Sequence, residues 1–142
     1  MVKISHLLVI NVPASKVFNN LSTIKGLASW WTKDTTGSPK KGGEIRFGFG
    51  KEYNIMKVTE SVKDRLVVWE CIYSSFPFAE EWIGTNQLFN LSEDKDKNTI
   101  VKFEHTGWKE YNDFFANCNF HWGKYMMSLK LLCETGKGNP DN

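Results

Sequence analysis

Along residues 3–12 apolar and polar positions alternate. Ile4, Leu8, Ile10 and Val12 share one side with His6, while Leu7 and Val9 point the other way. A two-residue period predicts a strand with one well-buried face. Pro13 ends it and suits the first turn of a helix. Val17, Phe18 and Leu21 then fall at helical spacing, which predicts a short helix with a narrow apolar stripe. Leu27, Trp30 and Trp31 predict a second short helix over 23–31. Residues 32–43 are polar and hold Gly37, Pro39, Gly42 and Gly43, the composition of a loop.

Five further strands are predicted in series. Ile45, Phe47 and Phe49 alternate with Glu44, Arg46 and Gly48. After a turn at Gly50-Lys51 the next strand covers 53–62, and Lys63-Asp64 turns into an apolar run over 66–73 interrupted by Glu70. Residues 74–79 form a loop carrying Phe76, Pro77 and Phe78. A fifth strand is expected over 82–91. The sixth, over 99–107, sets Val101, Phe103 and His105 on one face. Strands joined in sequence by short turns favour an antiparallel meander.

The clearest period comes last. Tyr111, Phe115, Cys118, Trp122, Tyr125, Leu129 and Leu132 recur at spacings of three and four, one face of a helix that Gly136 is placed to stop. Roughly 25 residues of helix span about 37 Å. An apolar stripe of that length needs a long partner, and the concave face of the sheet is the one available. The expected fold is therefore α+β: a six-stranded curved antiparallel sheet gripping a long C-terminal helix, with two short helices after strand one. Residues 1–136 make a single domain and 137–142 a short polar tail.

Composition adds a reason to look for a hollow. The 142 residues suit one domain that needs no disulfide or metal to hold a core. Aromatic residues make up 14% of the chain, with six Trp and ten Phe, more rings than a small core hides without lining something. The candidate lining residues are Trp30, Trp31, Phe47, Phe49, Trp69, Trp82, Phe103, His105, Phe115 and Trp122. A wall of rings with few polar groups is the make-up of a site for a small apolar or aromatic molecule.

The formal charge of +2 is spread along the chain without a basic stripe, which argues against nucleic acid as partner. Cys71, Cys118 and Cys133 are odd in number and lack CxxC spacing, so they read as buried thiols in a reducing compartment. The apolar stretch Leu7–Ile10 is too short for a signal sequence or a membrane span, and a cytoplasmic location is expected.

Candidate chemistry is sparse. His6, His105 and His121 show no HxH or HxxxH pairing, so core histidines are expected rather than metal ligands, with His105 as a polar anchor for ligand. Glu70, Glu80, Glu81 and Arg46 could set charge at a pocket mouth, and Glu70 needs solvent or a cation such as Arg46. There is no GxSxG, no GxxxxGK[ST] and no GxGxxG after a strand; Gly48-Phe49-Gly50 reads as a bulge or turn. No cofactor is expected.

The order strand, two short helices, strand meander and long terminal helix resembles the helix-grip fold of the SRPBCC (START-like) superfamily. Within it the chain resembles the C-terminal domain of the activator of the 90-kDa heat-shock-protein ATPase and its single-domain bacterial relatives. The residues behind this are Val17-Phe18, Trp30-Trp31-Thr32, Gly42 to Phe47, Leu66 to Trp69, His105 to Trp108, Trp122-Gly123 and Ser128 to Gly138. The resemblance implies the fold and a cavity between sheet and helix. The co-chaperones carry an N-terminal domain with no counterpart in these residues, so ATPase activation is not expected. Three functions follow as expectations. The first is a non-catalytic carrier or sensor of a small apolar molecule; the second, a cyclase- or hydrolase-like enzyme using His105 and a carboxylate; the third, a co-chaperone-like interaction module presenting Phe76 and Phe78.

Overall fold

The computed structural model describes residues 2–141. Strand β1 (Val2–Ile10) leads into helices α1 (Ala14–Leu21) and α2 (Ile24–Trp30). Strands β2 (Thr35–Gly37), β3 (Glu44–Phe49), β4 (Glu52–Val62) and β5 (Leu66–Ser74) follow. A single turn, α3 (Ala79–Trp82), precedes β6 (Asn86–Glu93) and β7 (Thr99–Trp108), and α4 (Asp113–Thr135) completes the fold. All strands join one antiparallel sheet in the order β1-β7-β6-β5-β4-β3-β2, so β2 to β7 form a meander and β1 closes against its last strand.

Alternation places one face of each strand in the core. Ile45 and Phe47 of β3, Met56 and Val58 of β4, Val67, Trp69 and Cys71 of β5, Phe89 of β6 and Phe103 of β7 are all buried. Leu7 and Val9 of β1 lie exposed, as their phase predicts. Helix α4 lays Phe115, Cys118, Trp122, Leu129 and Leu132 into this core. Asn112 caps its first turn by accepting from Phe115 N at 2.8 Å. Gly136 ends it at φ 85°, a left-handed conformation costly for any side chain.

Four expectations need correction. The sheet has seven strands, because residues 35–37 pair with Ile45 to Phe47; a three-residue strand of Thr-Thr-Gly is too short and polar to show a period. Trp82 belongs to α3 and not to a strand, and β6 begins at Asn86. The stretch 82–85 that mimics alternation is a helical end followed by a turn at Gly84. Tyr111 precedes α4 and is exposed rather than on its buried stripe. Finally, Glu70 stands opposite Lys57 on β4, whereas Arg46 pairs with Asp34 at 3.2 Å and covers the Tyr53 ring.

Candidate functional site

The junction of α2 with the sheet fixes the first wall. Thr32 Oγ1 donates to Gly48 O at 2.6 Å, and Gly48 N donates to Asp34 O at 2.8 Å. A Cβ at residue 48 would lie 2.0 Å from Asp34 Oδ2, so a larger residue there would displace the Asp34 side chain that pairs with Arg46. This clamp presses Trp31 into the sheet, where its ring stacks on Trp69 (5.7 Å, 2°) and meets Phe47 at 4.3 Å and Trp122 at 5.0 Å. Trp31 is thus the hub of the aromatic core.

The second wall comes from the start of α4 and the segment before β6. The Asn112 side-chain amide donates to Glu81 Oε1 at 2.6 Å, tying the helix N-terminus to α3. Phe78 packs on Phe114 at 3.9 Å and on Phe76 at 5.1 Å, near parallel to the latter.

Between these walls lies a half-open cavity of about 270 Å³. Helix α4 lines it with Phe114, Asn117, Cys118, His121, Trp122 and Tyr125, positions i, i+3, i+4, i+7, i+8 and i+11 of one face. Phe76, Phe78 and Trp82 line it from the α3 side, Trp31, Phe49 and Asn54 from the other, and Asp141 closes the rim. The tail carrying Asp141 is docked: Asp141 N donates to Trp31 O at 2.8 Å and Lys33 N to Asp141 O at 3.1 Å. Tyr125 donates its hydroxyl proton to Asp141 Oδ2 at 2.6 Å. Burial, and then this carboxylate, push the Tyr125 hydroxyl well above its ordinary range.

Of the ten expected lining residues, Trp31, Phe49, Trp82 and Trp122 meet at this cavity. Trp30, Phe47, Trp69, Phe103 and Phe115 are buried in the packed core behind it. His105 is also in the core. Its Nδ1 accepts from Trp122 Nε1 at 3.0 Å, and its Nε2 lies 2.7 Å from Thr85 Oγ1 and 3.1 Å from the Gln87 amide. Burial lowers its pKa from 6.5 to about 3, so the ring is neutral. The expected ligand anchor is therefore a satisfied core histidine with no acid partner. The imidazole that does line the cavity is His121, and His6 contacts Asn119 O at 3.2 Å.

Phe76 and Phe78 turn onto the cavity instead of forming an exposed interaction patch. Asn54, Phe114, Asn117, Cys118, His121, Tyr125 and Asp141 were not among the expected lining residues. The six-residue face on α4 was the available signal, a second, more polar stripe beside the apolar one. Asn54 is 3% exposed and its Oδ1 has no hydrogen-bond partner among the described residues. The Trp31 N–H leans toward the Tyr125 oxygen without reaching hydrogen-bond geometry.

The thiols are unsuited to nucleophilic work. Burial pushes Cys118 up to about 11 and Cys71 to about 12, and raises Cys133 as well. Among the described residues no three His, Cys, Asp or Glu side chains are grouped to hold a metal ion, and no helix is long and apolar enough to cross a membrane.

Comparison with known proteins agrees with this architecture. No curated protein sequence matches the chain. The solution structure of the Aha1 dimer from Colwellia psychrerythraea is 35% identical, covers 97% of this chain and 100% of its own, and superposes with a TM-score of 0.85. Protein SSP2350 from Staphylococcus saprophyticus is 12% identical over 99% of this chain and 98% of its own (TM-score 0.76). Protein BH1534 from Bacillus halodurans is 19% identical over 94% and 98% (TM-score 0.73). These last two share the fold alone. The sequence profile described as Activator of Hsp90 ATPase homolog 1-like protein matches residues 11–134. With that match spanning nearly the whole helix-grip unit, the chain belongs to the family of Activator of Hsp90 ATPase homolog 1-like proteins.

Proposed function

We propose that this protein binds a small apolar or aromatic molecule in the cavity beside the first half of α4, as a carrier or sensor without chemistry of its own. The observation that carries this reading is the cavity itself. Eight aromatic side chains line a hollow of about 270 Å³ that stays open although all six tryptophans are buried. Ligand sites for drug-sized molecules run from about 300 Å³ upward, so this hollow suits a compound of one or two fused rings. Burying a few hundred Å² of such a ligand at about 25 cal/mol per Å² supports micromolar affinity. His105, neutral and without an acid neighbour, removes the residue on which an acid–base mechanism would rest.

The test is a titration with naphthalene-type probes, read by tryptophan emission and melting temperature. Trp31, Trp82 and Trp122 in the wall make emission sensitive to occupancy. At a ligand concentration of 100 Kd, stabilisation of about 2.7 kcal/mol corresponds to a melting shift of about 5–10 °C. A broad ring library that moves neither signal overturns the reading.

A second reading rests on a different observation. Phe120, Met127 and Leu131 are 65%, 58% and 45% exposed along the outer side of α4. Because the 35% identical relative is a dimer, we infer that a second copy covers this face. Sedimentation of the native chain against Phe120→Lys/Met127→Lys decides it: a dimer lost in the variant supports self-association, and a native monomer at high concentration overturns it.

A further inference from the structure

We propose that the cavity selects a planar aromatic molecule bearing a positive charge, an aromatic amine, with the ammonium group at the Asp141 rim. This rests on the reading of the cavity as a ligand site and adds the sign of the ligand's charge.

Three observations support it. Among the described residues that line the cavity, Asp141 is the one carboxylate, and there is no Lys or Arg. Asn54, 3% exposed, lines it too, and its Oδ1 has no hydrogen-bond partner among the described residues, an acceptor left for a donor. Finally, the ion pairs among the described residues are Lys3–Glu104, Lys41–Glu60, Arg46–Asp34 and Lys130–Glu134, so none of them engages Asp141.

The physics then discriminates by charge. A cleft edged by one sign of charge concentrates ligands of the other sign. Indole and phenol faces attract a cation through the ring quadrupole, and Trp and Tyr do so more strongly than Phe. The Asp141 carboxylate accepts from Tyr125 through Oδ2, and an ammonium group can donate to the same carboxylate. A carboxylate ligand of identical shape meets the reverse: it gives up hydration at a rim where Asp141 carries the same charge and no Lys or Arg lines the cavity. A neutral ligand keeps the ring contacts and gains nothing from the rim.

The experiment compares naphthalene probes of one shape carrying aminomethyl, hydroxymethyl or carboxylate groups, titrated into the full chain at low and high salt. The amine is expected to bind about tenfold or more tighter than the carboxylate at low salt, with the gap narrowing as salt screens the rim. The alcohol falls between and is insensitive to salt. Asp141→Asn should reduce the amine's advantage. Because that change also loosens the tail, the salt series on the native chain provides a second arm: amine affinity should fall as salt rises while alcohol affinity holds. Equal binding of all three probes, or preference for the carboxylate, overturns the charge selectivity and leaves the ligand site standing. Binding of none overturns both.

Discussion

The indole N–H of Trp122 donates to Nδ1 of His105 at 3.0 Å, and this single bond sets the state of the whole network beneath the cavity. With Nδ1 accepting, a neutral ring carries its proton on Nε2, an assignment made from the hydrogen-bond pattern. That N–H points to Thr85 Oγ1 at 2.7 Å, and Thr85 in turn donates to Trp82 O at 2.6 Å. The relay joins α4, β7 and the end of α3, and so holds Trp122 and Trp82, two walls of the cavity, in fixed relation. His105 shapes the site from behind without touching what enters it.

Stability should therefore depend on pH through His105. Its pKa is about 3 when folded and near 6.5 when unfolded, so the unfolded chain binds the extra proton between those values. The stabilisation is complete above about pH 6.5 and is lost as pH falls toward 3, at up to about 1.4 kcal/mol per pH unit. Urea melts at pH 7, 6 and 5 check this. His105→Gln should be less stable at pH 7 by about 2–3 kcal/mol and should show a flatter slope between pH 6.5 and 5. An unchanged slope would show that another group titrates.

The packed core and the cavity wall should separate under mutation. Trp69→Ala removes a fully buried ring, outside the cavity lining, that stacks on Trp31 and meets Phe89 edge-on, at a cost of about 3–5 kcal/mol. Phe78→Ala removes a half-buried ring from the wall, costs about 1 kcal/mol, and should weaken ring-probe binding several-fold. Chemical denaturation and probe titration on both variants test the distinction.

Filling the cavity should abolish binding without unfolding. Asn117 is exposed, on α4, and lines the hollow. Asn117→Trp is expected to occupy ligand volume, leave stability within about 0.5 kcal/mol, and remove the probe-induced melting shift. Retained probe binding would place the ligand elsewhere.

Removing residues 138–142 should loosen the rim. The deletion takes away the bonds Asp141 N to Trp31 O, Lys33 N to Asp141 O and Asn139 N to Ser128 Oγ, together with the acceptor for the Tyr125 hydroxyl. A loss of about 1–3 kcal/mol is expected, read as a lower melting temperature, along with faster hydrogen exchange at Trp31 and Lys33.

Periodicity carried the architecture well. The stripe of Phe115, Cys118, Trp122, Leu129 and Leu132 and the alternation of Ile45 with Phe47 are local repeats imposed by a large buried surface, and each reappears in the core. Errors arose where burial leaves no repeat. Thr35 to Gly37 is held as a strand by pairing with β3, and Trp82 sits in a helix one turn long. Neither length supports a period. Most of the site was hidden for a related reason. Which rings pack solid and which border a hollow depends on neighbours far apart in sequence, so Trp69 and Trp82 look equivalent on the page and differ in space.

Residue order alone, through the two-residue and 3.6-residue repeats of apolar side chains, determined the helix-grip frame, because hydrophobic burial acts on each element as it forms. The tertiary structure decided that His105 is an internal strut, that Phe76 and Phe78 turn inward, and that Asp141 is carried back to the rim. Each of these follows from long-range hydrogen bonds and packing, such as Trp122 to His105 and Asp141 to Trp31, and contacts between distant segments leave no local pattern to read.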